Sequence, residues 1–313
     1  MNRRFRRIFA WMLVFVLAAG LFGCGNPDAA KVDKPQAAQE PGSSFPVTVK
    51  DDTGAEVTVD REPKRIVSLI PSTTEIAFAL GLGDRIVGVT ANDDYPPEVK
   101  EIEKVGDINV NVEKVVGLKP DLVLASPLNG ETVEKLRSLG LTVLSVDAQS
   151  LEGVYESIRR VGKATGAVKE ADQLIAKMEK EKEQVVQKVA SIPEEERLKV
   201  WVEVDPTPFT VGGDTFLNEL ITLAGGRNVA AEMKGWPQVS GEKVIKWNPD
   251  VILTTYGKAD KSVASRPGWD RIAAVKANRI HSLNPDWTTL PGPRITKGLK
   301  QIAQILYPER FRQ

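Results

Sequence analysis

Apolar and polar residues alternate along residues 46 to 59, PVTVKDDTGAEVTV, with valines at every second position on either side of Asp-Thr-Gly. That spacing predicts a β-hairpin with one buried face. Beyond it the pattern changes to short apolar runs separated by stretches of helical period. RIVSLI, RIVGVT and TVLSVDA read as buried strands, while STTEIAFALGLG and ETVEKLRSLG read as helices closing on glycine. Strands that alternate with helices predict a mostly parallel sheet covered on both faces. A second region repeats the alternation: the strand LKVWVEV, a helix TFLNELITLAGG, a helical stretch near GWDRIAAVKA, the strand RIHSLN and a terminal helix around ITKGLKQIAQILYP.

Between the two regions, residues 167 to 190 contain no Gly or Pro and carry a partly apolar face. They predict one helix of about six turns. The expected organisation is therefore an α/β fold of two Rossmann-like lobes. The first spans 46–166, the helix at 167–191 acts as a rigid strut, and the second lobe spans 192–313.

Two segments of the lobes match closely. EKVVGLKPDLVLA at 113–125 and EKVIKWNPDVILT at 242–254 share six of thirteen residues. In each, a short helix should stop before Pro-Asp and feed a buried strand. Asn111 and Ser240 stand where N-caps are expected, which puts Glu113 and Glu242 in the first helical turn. Ser72-Thr-Thr-Glu75 has the spacing of a capping box, which would assign Glu75 to its own helix terminus.

The amino terminus places this body. MNRRFRRIFAWMLVFVLAAGLFGCG holds four arginines, then an apolar run too short and too terminal to be read first as a spanning helix. The run ends at Cys24, the single cysteine of the chain. The stretch resembles a bacterial lipoprotein signal, which implies cleavage after residue 23 and lipidation of Cys24. Residues 24–45, rich in Pro, Ala, Gly and charge, read as a flexible tether. The full chain balances 42 basic against 42 acidic residues, and losing four arginines leaves the mature chain about four charges negative. That balance gives no support for nucleic-acid binding. A lipid-anchored body on the outer face of the cytoplasmic membrane is the expected location.

Catalytic signatures are sparse. One histidine, His281, lies within RIHSLN, which leaves no three-histidine zinc site. No phosphate loop or dinucleotide fingerprint occurs, and the glycine pair in VGGDTF has no lysine behind it. Neither an enzyme nor a resident cofactor or metal is expected. Binding residues are better represented. Phe209, Trp236 and Trp287 lie in loops of the second lobe, Phe209 and Trp287 just after strands, where open α/β sheets hold ligands.

The run PKRIVSLIPSTTEIAFALGLGDRIVGVT, then DYPP, VEKVVGLKPDLVLA, PFTVGGDTFLNELITLAGGRN, WPQVS and DWTTLPGPRI resembles the substrate-binding proteins of metal-chelate importers. Within them it is most similar to the vitamin B12 (cobalamin) binding proteins. The resemblance implies a class III periplasmic-binding-protein fold, a monomer with a ligand between its lobes. It also implies a partner, the permease of an ATP-binding-cassette (ABC) importer with its ATPase subunits. By position it implies that Glu113 and Glu242 meet arginines on that permease. Phe209 and Trp236 would line the cleft, and Asp286 would accept hydrogen bonds from corrin amides. Trp287 and Arg294 are retained in the same segment. The first-lobe wall departs from the pattern. Asn92 replaces a tyrosine, Ser126 replaces a tryptophan, no tryptophan stands near Asp107 or Ile108, and Leu290 replaces an arginine. Tyr95 is then the first-lobe aromatic that could help. Rival ligands are haem, with Tyr95 or Tyr256 on the iron, and an anionic ferric siderophore, with Arg266 or Arg294 opposite its charge. A surface sensor or carbohydrate-processing lipoprotein on the same fold is the reading outside transport.

Overall fold

The structure, a computed structural model, describes residues 45–257 and 260–312. The expected signal at 1–23, the Cys24 lipidation site and the tether up to residue 44 lie outside the described residues.

The hairpin forms as the alternation requires. Strands β1 (Val47–Lys50) and β2 (Glu56–Val59) pair antiparallel, Val47 opposite Val59 and Val49 opposite Val57, with all four valines buried. Gly54 turns the chain at φ 85°, a left-handed conformation that costs glycine little. Asp51 fixes the hairpin to the first lobe. Its buried carboxylate accepts from Arg137 Nη2 at 2.5 Å and from the Ser145 backbone N–H at 3.1 Å.

The first lobe continues through β3 (Ile66–Ser68), α1 (Pro71–Ala79), β4 (Ile86–Gly88), α2 (Val112–Gly117), β5 (Leu122–Ala125), α3 (Gly130–Ser138), β6 (Val143–Ser145) and α4 (Leu151–Thr165). Its sheet is parallel, in the order β4-β3-β5-β6. Every residue of β3, β5 and β6 is buried, as expected of strands covered on both faces.

Helix α5 (Val168–Val189) is the predicted strut, 22 residues long. The sequence reading did not single out α4 beside it. Gly166 at φ 79° ends α4 and lets α5 begin within two residues. Val154, Tyr155, Ile158 and Val161 of α4 join Ala171, Ile175 and Met178 of α5 in one hydrophobic cluster, which extends into the second lobe.

The second lobe contains β7 (Lys199–Glu203), α6 (Phe216–Leu223), β8 (Arg227–Asn228), α7 (Gly241–Trp247), β9 (Val251–Thr254), α8 (Asp260–Ala264), α9 (Ala273–Lys276), β10 (Ile280–Ser282), α10 (Pro285–Thr288), α11 (Ile295–Leu306) and α12 (Pro308–Phe311). Its sheet is also parallel, in the order β10-β9-β7-β8. Helix α11 leans on α5 through Ile295, Leu299 and Ile302, in the same cluster. The repeated segments occupy matching places: α2 feeds β5 and α7 feeds β9, and both strands are fully buried.

One expectation is corrected. Ser72 and Glu75 do not form a capping box. Helix α1 starts at Pro71, its N-cap is Ile70, and no side chain caps it. Glu75 is buried and turned toward the other lobe.

Candidate ligand cleft

Glu75 lies in the helix that follows β3, and Arg294 is the N-cap of α11, after β10. They meet as a two-pronged pair: Arg294 Nε donates to Glu75 Oε2 at 2.9 Å and Nη2 donates to Oε1 at 2.6 Å. Both residues are buried. The contact brings the C-terminal edges of the two parallel sheets face to face, the edge where such sheets hold ligands. Tyr95 lays its ring over the Arg294 guanidinium, 4.1 Å from centroid to Cζ, and Asp286 Oδ2 stands 3.7 Å from Nη1. Burial pushes the Glu75 carboxyl above its ordinary value, although Arg294 pulls against it. A cavity of about 380 Å³ opens beside this pair, with Glu75, Tyr95, Met178, Arg294 and Lys297 among its walls.

On the second-lobe side, the segment after β7 and the segment before α7 zip into an antiparallel ribbon. Val239 N–H donates to Pro208 O at 3.0 Å, Thr210 N–H to Pro237 O at 2.9 Å, and Gly212 N–H to Gly235 O at 2.8 Å. The ribbon carries Phe209 and Trp236 together, with Phe209 bridged to Gln238. It explains the glycine pair of VGGDTF. A Cβ on Gly213 would sit 2.1 Å from Ala231 O, and one on Gly212 2.5 Å from Met233 O. The glycines serve close backbone approach. Trp236 is 48% exposed and Phe209 partly buried.

Beneath the ribbon is a second buried carboxylate, which the sequence reading passed over. Glu203 ends β7 with no exposure. Arg266 grips it at 2.6 and 2.7 Å and also reaches the Pro206 carbonyl of the ribbon loop at 3.3 Å. Tyr256 donates its hydroxyl to Glu203 as well. Burial, then the Glu203 charge, pushes that hydroxyl well above its ordinary pKa, so it stays a proton donor. The available signal in the sequence was an acid inside the apolar run KVWVEV.

Other predicted positions fall as follows. Asn92 and Tyr95 are exposed on the loop after β4, which Asp93 anchors by accepting from Thr90 N–H at 2.9 Å. Ser126 is buried at the end of β5, and its hydroxyl accepts from Leu128 N–H at 3.2 Å. Asp286 and Trp287 share α10, with Lys297 5.8 Å from the Trp287 ring centroid. Ile108 and Leu128 lie in the segments that follow β4 and β5, 86% and 89% exposed. His281 sits in the middle of β10; burial, then Arg279, lowers its pKa.

Glu113 and Glu242 are exposed at equivalent places, each the second residue of its helix. Asn111 and Ser240 cap those helices through Lys114 N–H and Lys243 N–H. Neither glutamate forms an ion pair among the described residues. Lys114 is bound to Glu103 at 2.8 Å and Lys243 lies over the Trp247 ring.

Among the described residues, no group of three or more His, Cys, Asp or Glu is arranged to hold a metal ion. Two parallel-sheet lobes, a helical strut and a facing pair of strand edges define a bilobed binding protein.

Residues 66–287 match the family described as periplasmic binding protein, and this chain belongs to that family. Its members are the non-catalytic substrate-binding components of ABC importers. An uncharacterized ABC transporter substrate-binding lipoprotein of Bacillus subtilis is 45% identical, over 98% of this chain and 99% of that one. A cobalamin-binding protein of Halobacterium salinarum is 30% identical, over 96% of this chain and 84% of its own length. Among solved structures, one described as a possible iron-binding (periplasmic solute-binding) protein from Staphylococcus epidermidis superposes with TM-score 0.72. It is 36% identical, and the match covers 79% of this chain and all of that one.

Proposed function

We propose that this chain captures cobalamin or a related corrinoid between its lobes and delivers it to an ABC permease. Both arginines that could have faced an anionic ligand are already bound to buried carboxylates, Arg294 to Glu75 and Arg266 to Glu203. That observation carries the reading. It leaves candidate walls of aromatic faces (Tyr95, Phe209, Trp236, Trp287), exposed aliphatics and the acceptor Asp286. Such walls suit a broad ring with apolar edges and a fringe of neutral amides. The similarity to the cobalamin-binding protein of Halobacterium salinarum points the same way.

Haem has less support. Tyr256 donates to Glu203 and is not free to bind iron, and neither Arg266 nor Arg294 is free for propionates. A ferric siderophore is the second reading, favoured by the iron-binding description of the Staphylococcus epidermidis protein. It requires Arg266 or Arg294 to leave its carboxylate. Calorimetric titration of the chain with cobalamin, haem and a ferric siderophore in parallel separates these. One-to-one binding of cobalamin at micromolar strength or tighter is expected. A response to the siderophore alone would replace the ligand and leave the importer role in place.

The remaining parts fit delivery. Cys24 is the proposed lipid anchor, holding the protein at the outer face of the cytoplasmic membrane and raising its local concentration near the permease. Glu113 and Glu242 are the proposed docking acids, one per lobe, facing basic residues of the permease, with transport driven by ATP hydrolysis on its ATPase subunits.

A further inference from the structure

The repeated segments hold more than an acid. Their core contact is made by the third residue of the unit, Val115 in α2 and Val244 in α7, both with no exposure. The next residue is aliphatic in both copies, Val116 and Ile245, and Ile245 also packs in part on the core cluster that holds Val244. Val116 is 41% exposed and Ile245 is partly exposed. Each lies three residues after the unpaired glutamate, Glu113 or Glu242, and residues three apart on a helix are surface neighbours. Both lobe tips therefore place a bare carboxylate beside an aliphatic side chain, at the same helical step.

The second copy is the more developed. A groove of about 370 Å³ opens at α7, with Pro208, Ile245, Pro267 and Trp269 as its apolar walls and Glu242 and Arg266 beside them. Gly241 permits it: a Cβ there would stand 3.1 Å from Trp269 Nε1. Arg266 contributes little free charge, being bound to Glu203, so Glu242 sets the local sign.

We infer that each lobe docks through a mixed contact, the glutamate together with the aliphatic residue three positions on, and that the partner presents a basic residue beside an apolar one at both places. This rests on the proposal that Glu113 and Glu242 face the permease. Charge complementarity selects a basic partner segment, and the duplication selects a partner that offers the same chemistry twice. An exposed glutamate alone gives a weak, screened contact. An apolar side chain buried next to it excludes water and slows release.

The test is binding of the full lipidated chain to the permease–ATPase complex of the same cell, both in detergent, by microscale thermophoresis at low and high salt. Val116→Ser with Ile245→Ser should weaken docking about tenfold or more and leave the salt dependence in place. Glu113→Ala with Glu242→Ala should weaken docking and flatten that dependence. Ile245 is partly buried, so Val116→Ser alone, at a more exposed site, is the control; it should weaken docking severalfold with the melting temperature unchanged. If the serine variants dock like the native chain while the alanine pair fails, the apolar half of the contact is wrong and the docking acids stand. If the alanine pair also docks normally, both the inference and the docking reading fall.

Discussion

Replacing Glu75 with alanine would leave the Arg294 guanidinium inside the interlobe contact without its two-pronged partner. The native pair is short, at 2.6 and 2.9 Å, and its side chains are 3% and 11% exposed. Removing one member of a buried pair costs about 3–5 kcal/mol, because the remaining charge stays desolvated. Asp286 at 3.7 Å offers partial compensation, so the lower end, about 3 kcal/mol, is expected. Urea unfolding followed by tryptophan fluorescence and far-ultraviolet dichroism reads this as a lower midpoint. The companion variant, Glu75→Met with Arg294→Met, removes both charges. Burial already pushes the Glu75 carboxyl up against the pull of Arg294, and replacing both members of a buried ion pair by apolar side chains of similar volume is often close to neutral. The double variant should therefore lie within about 1 kcal/mol of the native chain. A Glu75→Ala midpoint indistinguishable from native would refute the claim that this pair joins the lobes in solution.

Three further outcomes are expected. The Asp51 carboxyl is held below its ordinary value of 3.8 because, although burial raises it, hydrogen bonds from Thr53 and Ser145 and the charge of Arg137 outweigh that; its contribution is present above pH 3.8 and is lost as pH falls through the lower folded value. Asp51→Asn should thus be less stable than native at pH 6, with the gap closing in urea midpoints taken below pH 4. Gly298→Ala would bring a Cβ within 2.2 Å of Trp287 O, shifting the Asp286–Trp287 turn; stability should fall by about 1–3 kcal/mol and cobalamin affinity with it, and a native-like affinity would remove that turn from the site. Trp236→Ala should weaken cobalamin binding about tenfold or more at an unchanged melting temperature, since the side chain is half exposed; an unaltered dissociation constant would exclude it.

Much of the architecture was legible because its causes are local. Valines at every second position built the hairpin, Asn111 and Ser240 capped their helices, and Pro-Asp delivered β5 and β9 into the two cores. The repeat alone announced two like lobes, and the long run without Gly or Pro announced α5. The second helix α4 has a clear apolar face, yet it lay inside a stretch assigned only to the lobe.

The charges between the lobes were illegible. Ser72 to Glu75 has a capping-box spacing that local reasoning cannot distinguish from chance, and Pro71 started the helix two positions early instead. Glu75 finds Arg294 across 219 residues, and Glu203 finds Arg266 across 63. Composition and periodicity fix which faces are apolar, because burial acts on every residue of a face at once. They do not fix which acid meets which base: that depends on the last few ångströms of lobe packing, where one short contact decides whether a buried charge is tolerated. So the sequence by itself determined two lobes, a strut and a matched pair of exposed acids. Only the tertiary structure decided that Arg294 and Arg266 serve buried carboxylates, because each pairing joins residues far apart in the chain.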